Sequence, residues 1–137
     1  MLHSLQVQLN KAARLVTGMS KFTSTRRLME ACGWLPVKQL VRYHTILMVH
    51  KVILSNRPMY ISSRLETDHY YRTRMSSSGG IRMDETYRYK TDLPRKSFRY
   101  RGAHEYNTIP AELRKIRSLN TFKNKLKSWI KSTIDSN

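Results

Sequence analysis

The chain has 137 residues, 39% of them hydrophobic, with 26 Lys and Arg against 9 Asp and Glu, a net charge of +17. That length suits one domain, or one domain with a tail, and no apolar run reaches the roughly 18 residues of a membrane span. Cys32 is the single cysteine, which excludes an intrachain disulfide and a cysteine-based zinc site, and the opening MLHSLQVQLNKAARLV lacks the basic-then-apolar order of a secretory signal.

The expected setting is therefore intracellular, nucleus or cytoplasm, with no membrane partner. The charge is the loudest signal. Residues 1–57 hold nine basic residues and one acid, a balance that points to an electropositive face rather than a salt-bridged surface. Such an excess attracts polyanions. Nucleic acid leads among them, because each phosphate that is neutralised releases counterions.

Residues 3–17 read as a helix. Leu5, Leu9, Ala12, Ala13 and Val16 recur at helical spacing as an inward face, with Lys11 and Arg14 opposite. Gly18 suits the left-handed position after a helix end. Residues 25–32 form a second, short helix, capped by Ser24 or Thr25 and closed by Gly33. Its inward residues are Leu28 and Cys32, and Arg26 and Arg27 point out.

A third helix starts at Pro36, where a missing N–H costs nothing, and runs to about Ser55. It is apolar over most of its circumference, from Val37 and Leu40 through Ile46, Val49 and Val52 to Leu54. Such a helix is central or covers two partners. Asn56, Arg57 and Pro58 end it, and residues 58–64 form one further turn.

Residues 66–83 are rich in Ser and Gly, lack periodicity and read as a flexible linker. Beyond them Tyr87, Tyr89, Phe98 and Tyr100 alternate with Arg88, Lys90, Arg99 and Arg101. That period of two predicts short strands, a β-hairpin or extended segment around 86–101. Helical turns are expected at 102–107 and at 110–116, the latter opened by Pro110. A last helix spans about 119–133 with Ser118 as its cap. Its inward face is Leu119, Phe122, Leu126, Trp129, Ile130 and Thr133, and Lys123, Lys127 and Lys131 recur four apart on another.

The fold class is thus mainly α: a helical unit at about 3–55, a C-terminal helix, and a short hairpin or extended segment between. The expected organisation is an N-terminal helical unit over 1–65, the linker at 66–83, and strands or turns with a basic helix over 84–137.

No catalytic constellation emerges. No two of His3, His44, His50, His69 and His104 stand three or four apart, so a helical metal pair is missing, and packing or surface roles are the better reading. The carboxylates are few, and two-metal phosphoryl transfer needs several that converge. SSSGG lacks the Lys of a phosphate-binding loop, and Cys32 reads as a buried thiol on an apolar face. No cofactor is expected. The Tyr–Arg alternation allows base stacking with phosphate contact. Inward packing of the aromatics, with solvated Arg, is the plainer reading.

LQVQLNKAARLVTGMS followed by LMEACGWLPVKQLVRYHTILMVHKVI resembles the C-terminal region of reverse transcriptases from non-LTR (LINE-type) retrotransposons. The residues that carry the likeness are Leu5, Gln6, Asn10, Lys11, Ala12, Ala13, Arg14, Thr17 and Gly18, then Gly33, Trp34, Leu35 and Pro36. A second stretch, KSFRYRGAHEYNTIPAELRKIRSLNTFKNKLKSWI, is similar to the family through Ser97, Phe98, Tyr100, Gly102, Ala103, Asn107, Pro110, Glu112, Ser118, Leu119, Phe122 and Lys123. Tyr106 stands where the family usually has Trp. The Tyr/Phe-x-Asp-Asp metal site of the family's polymerase palm has no counterpart here.

The resemblance implies a region downstream of the polymerase domain, associated with RNA or DNA during target-primed reverse transcription, with no catalytic residue of its own. The missing polymerase portion is then a further expected partner. Read together, residues and resemblance lead to the expectation of a non-catalytic C-terminal fragment that binds RNA or DNA non-specifically. Its expected phosphate contacts are Lys11, Arg14, Arg26, Arg27, Lys96, Arg99, Arg101, Lys123 and Lys127. The alternatives are a helical protein-interaction module and a transposon remnant without function.

Overall fold

The structure, a computed structural model, describes residues 2–63, 65, 79–81 and 97–135. Among them it is helical throughout: α1 (Leu2–Thr17), α2 (Thr25–Cys32), α3 (Val37–Ser55), α4 (Met59–Ser62), α5 (Phe98–Thr108), α6 (Ala111–Arg114) and α7 (Leu119–Asp135), with no strand. The chain divides into two compact units inside α3, one ending at Tyr43 and the other running from His44 to Ser136.

In the first unit α1 packs on α2. The buried centre is Ala13, Leu28 and Met29, with Leu9 and Cys32 packed against it. Polar side chains on the same side of α1 complete the joint. Gln6 donates to Asn10 Oδ1 at 2.9 Å, and Asn10 donates to Thr25 Oγ1 at 2.9 Å. Gln6 Oε1 then accepts the N–H of Val37 at 2.8 Å, which supplies one of the donors that the start of a helix leaves unpaired. One relay of amides therefore ties α1 to α2 and to the start of α3.

That relay corrects the expected inward face of α1. Ala13 is buried and Leu9 half-buried, but Leu5 is 51% exposed and Val16 69% exposed. The helix is rotated so that Gln6, Asn10, Ala13 and Thr17, spaced by three or four residues, face the unit. Half-burying Gln6 and Asn10 is tolerable because each finds a partner.

Helix ends follow the sequence signals. Ser24 caps α2 by accepting from the N–H of Arg27. Gly33, at φ 67°, closes α2 in the left-handed conformation, where an L side chain would be strained. Gly18, at φ 66°, does the same for α1, and its N–H donates to the Arg14 carbonyl at 2.8 Å.

In the second unit the buried residues of α3 are Ile46, Leu47, Val49, His50 and Val52. α5 comes close to α3 at Gly102, where an added Cβ would lie 3.0 Å from Val49 Cγ2. α7 buries Phe122, Leu126 and Ile130 along one face, and α6 packs against it.

The hairpin or extended segment expected around 86–101 is not supported. Residues 86–96 lie outside the described ones, and Phe98–Arg101 form the first turn of α5. The period of two is overridden there by a cap and a helical face. Ser97 accepts from the N–H of Tyr100, and Gly102, Ala103 and Tyr106 are buried at i, i+1 and i+4. The expected Ser/Gly linker is described only at Gly79–Ile81. Ile81 there is fully buried, its N–H donating to Asn107 Oδ1 at 2.9 Å and its carbonyl accepting from Asn107 Nδ2 at 2.7 Å. One side-chain amide thus pairs with the backbone as a neighbouring strand would.

Candidate nucleic-acid interface

The expected phosphate contacts fare differently. In the first unit Lys11 and Arg27 are exposed. Arg14 is half-buried and braces the turn after α1, its Nη2 donating to the Lys21 carbonyl at 3.2 Å. Arg26 Nε is paired with Glu30 Oε1 at 2.9 Å, one turn along α2. Both side chains of that pair are exposed, so it holds the arginine by no more than about 1 kcal/mol. The unit keeps a strong excess all the same, with seven basic residues and one acid over residues 1–43.

In the second unit Arg99 and Arg101 are exposed on α5. Two residues apart on a helix, they project to nearly opposite sides rather than to one strand face. Tyr100, expected on an aromatic strand face, instead stacks on His104 one turn along, with ring centroids 6.4 Å apart. Lys96 lies outside the described residues.

Lys123 and Lys127 stand on α7, half-buried and exposed respectively, in one row with exposed Lys131. Lys125 is exposed on another side of the helix. The sequence around them is the most one-sided in the chain. Between Leu113 and Ile134 there are seven basic residues and no acid. No carboxylate stands three or four residues from Lys123, Lys125 or Lys127, the spacing that neutralises many surface helices, whereas Lys131 has Asp135 four residues on.

Arg114 is the member turned inward. Its Nε and Nη1 are buried without a hydrogen-bond partner, and its charge opposes the upward shift of the Tyr106 phenol.

The rigid support for this helix is a buried polar group that sequence reasoning assigned only to packing or surface. His50 is buried and stacks on Phe122 of α7, with centroids 3.6 Å apart and planes 10° from parallel. Its Nε2 lies 2.8 Å from the Ile116 carbonyl, and its Nδ1 lies 3.0 Å from the Tyr106 hydroxyl. A carbonyl only accepts, so Nε2 carries the hydrogen, and Nδ1 then accepts from the Tyr106 O–H. Burial pushes the imidazole below its usual range, and the bond to Ile116 opposes this more weakly. Burial pushes the Tyr106 phenol up to about 12, against the opposing charge of Arg114. Both groups are neutral and satisfied, and they join α3, α5 and the turn before α7. The signal for this role was the position of His50 in the apolar register of α3, at i+4 from Ile46.

Among the described residues no group of three or more His, Cys, Asp and Glu is placed to hold a metal ion. Also among them, no helix is long and apolar enough to cross a membrane. Comparison of the chain with family models, with characterised proteins and with solved structures finds no match.

Proposed function

We propose that the chain is a non-catalytic nucleic-acid-binding region of a non-LTR retrotransposon reverse transcriptase, downstream of the polymerase domain. It holds RNA or DNA through phosphate contacts without sequence preference. The observation that carries the binding reading is the acid-free basic stretch ending in α7, with Lys125, Lys127 and Lys131 exposed. The family reading rests on the two motif-bearing stretches. Several of their residues have structural work in the fold: Gln6 and Asn10 in the α1 relay, Gly33 at the end of α2, Gly102 against Val49, and Asn107 on Ile81. Tyr106, where the family usually has Trp, supplies the hydroxyl that His50 requires.

Fluorescence anisotropy of labelled RNA and DNA over a salt series tests the binding reading. Affinity falls linearly on logarithmic axes as salt rises, because each phosphate contact releases counterions. Affinity independent of salt refutes the phosphate mechanism. Primer extension with magnesium gives no product under the non-catalytic reading.

A second reading is favoured by one observation. Leu5, Leu15, Val16 and Phe22 are all exposed, Leu15 and Phe22 by 87% and 85%. Apolar surface of this kind suits a helical protein-interaction module, and under the family reading a polymerase domain is the partner it would meet. Light scattering of the purified chain tests it: a monodisperse monomer that binds no apolar dye contradicts the module.

A further inference from the structure

The turn between α1 and α2 is short and tied down at several points. The Gly18 N–H donates to the Arg14 carbonyl at 2.8 Å, and the Met19 N–H to Thr17 Oγ1 at 3.4 Å. Ser20 takes two bonds: its carbonyl accepts the Thr23 N–H at 3.0 Å, and its hydroxyl accepts the Phe22 N–H at 3.3 Å. Arg14 reaches across to the Lys21 carbonyl at 3.2 Å. This braced turn carries Phe22 with its ring 85% exposed.

A single exposed phenylalanine says little, but its surroundings say more. The Lys21 ammonium lies over the ring, 5.1 Å from the centroid, within cation–π range. Residues 11–27 hold five basic residues and no acid. Lys11, Lys21 and Arg27 among them are exposed. The ring is thus presented from a cationic stretch, on a backbone already fixed, so little ordering is left for a ligand to impose.

We propose that Phe22 is a base-stacking platform for single-stranded nucleic acid, with Lys21 beside it on the phosphate backbone. This rests on the nucleic-acid reading above and deepens it by naming the ligand form. A flat ring with a cation against it matches a nucleotide, which joins a flat base to a phosphate. An apolar protein surface also offers the ring a partner, but covering it strips water from the ammonium that lies there, at a cost. In a duplex the base faces are already stacked on one another. An unpaired strand presents them to aromatic side chains. Such stacking tolerates any sequence, because every base has a π-face, so it agrees with phosphate contacts that have no sequence preference.

The test uses the full chain and three labelled ligands of equal length. They are a mixed-sequence DNA strand, a strand of abasic sites that keeps every phosphate, and the duplex of the first strand. The ordinary strand is expected to bind at least about fivefold tighter than the abasic one. Phe22→Ala erases that difference and leaves the salt slope on the abasic strand unchanged. Phe22→Trp keeps a flat ring and retains the difference, whereas Phe22→Leu, apolar but not flat, loses it. Affinity for the duplex is the same in the parent chain and in Phe22→Ala. The side chain is exposed, so these substitutions spare the buried core, and far-UV circular dichroism verifies the fold. Equal affinity of the parent chain for the ordinary and abasic strands, or a difference that survives in Phe22→Ala or Phe22→Leu, overturns the stacking platform and leaves salt-dependent binding standing. Affinities indifferent to all three substitutions do the same and assign the ring to a protein contact. An equal loss on the duplex in Phe22→Ala overturns the choice of single strands. Failure to bind any of the three ligands overturns the underlying nucleic-acid reading as well.

Discussion

Replacing His50 by Phe keeps a flat ring against Phe122 and removes both hydrogen bonds. The Tyr106 hydroxyl and the Ile116 carbonyl, at 3.0 and 2.8 Å from the imidazole, each lose that partner in a buried setting. An unpaired buried polar group costs about 1–3 kcal/mol, so His50→Phe should destabilise by about 2–5 kcal/mol, a large share of the roughly 5–15 kcal/mol typical of a domain. Tyr106→Phe alone leaves Nδ1 unpaired and costs about 1–3 kcal/mol. The double variant removes the phenol together with its acceptor, leaving one orphan carbonyl. Its loss should therefore fall short of the sum of the single losses by at least about 1 kcal/mol. Urea denaturation at pH 8, followed by far-UV circular dichroism, measures all four corners of this cycle. A His50→Phe loss under about 0.5 kcal/mol, or strict additivity of the two losses, refutes the network as a source of stability.

The same histidine sets an acid limb. Burial lowers its folded pKa below the ordinary 6.5, so on acidification the unfolded chain takes up the proton first. Its contribution is full above about pH 6.5 and is lost as pH falls from there toward the folded pKa, with a slope of up to about 1.4 kcal/mol per pH unit. Stability titrations should show this slope in the wild type and lack it in His50→Phe. Tyr106 acts at the other end: with its folded pKa near 12 against an ordinary 10.0, its contribution is full below pH 10 and is lost as pH rises toward 12, a limb that Tyr106→Phe removes. Gly102→Val forces side-chain atoms onto Val49, already 3.0 Å from an added Cβ, and overpacking of this kind costs about 1–3 kcal/mol; an unchanged denaturation midpoint contradicts the close approach of α5 to α3. Asn107→Ala strips both partners from the Ile81 backbone and should raise hydrogen exchange at the Ile81 amide before global stability falls; unchanged exchange there speaks against the clamp.

Most of the helices were legible because local signals agreed with one another. Ser24 and Gly33 bracket α2, Pro36 precedes α3, and the apolar positions of α7 recur with helical period. The hairpin failed for a physical reason. Alternation at Phe98–Arg101 spans a single helical turn, too short for its period to outweigh the Ser97 cap and the buried Gly102, Ala103 and Tyr106. The rotation of α1 was hidden because polarity misled. Gln6 and Asn10 lie on the covered side only because they satisfy one another, Thr25 and Val37, and such pairing cannot be seen in a hydropathy pattern. His50 followed the apolar register of α3, yet its partners Tyr106 and Ile116 are 56 and 66 residues away. Among the expected phosphate contacts, Lys127 could be placed from spacing alone. The commitments of Arg14 to a carbonyl and of Arg26 to Glu30 depend on side-chain geometry.

The salt dependence of binding in a Lys123→Ala/Lys127→Ala variant tests the central claim most directly. Each phosphate contact adds roughly 0.7–0.9 to the slope of log affinity against log salt. With both lysines engaged, the variant should bind more weakly at low salt, with a slope shallower by about 1.4–1.8 than that of the unsubstituted chain. An unchanged slope, or a parent chain whose affinity does not respond to salt, contradicts phosphate binding through α7.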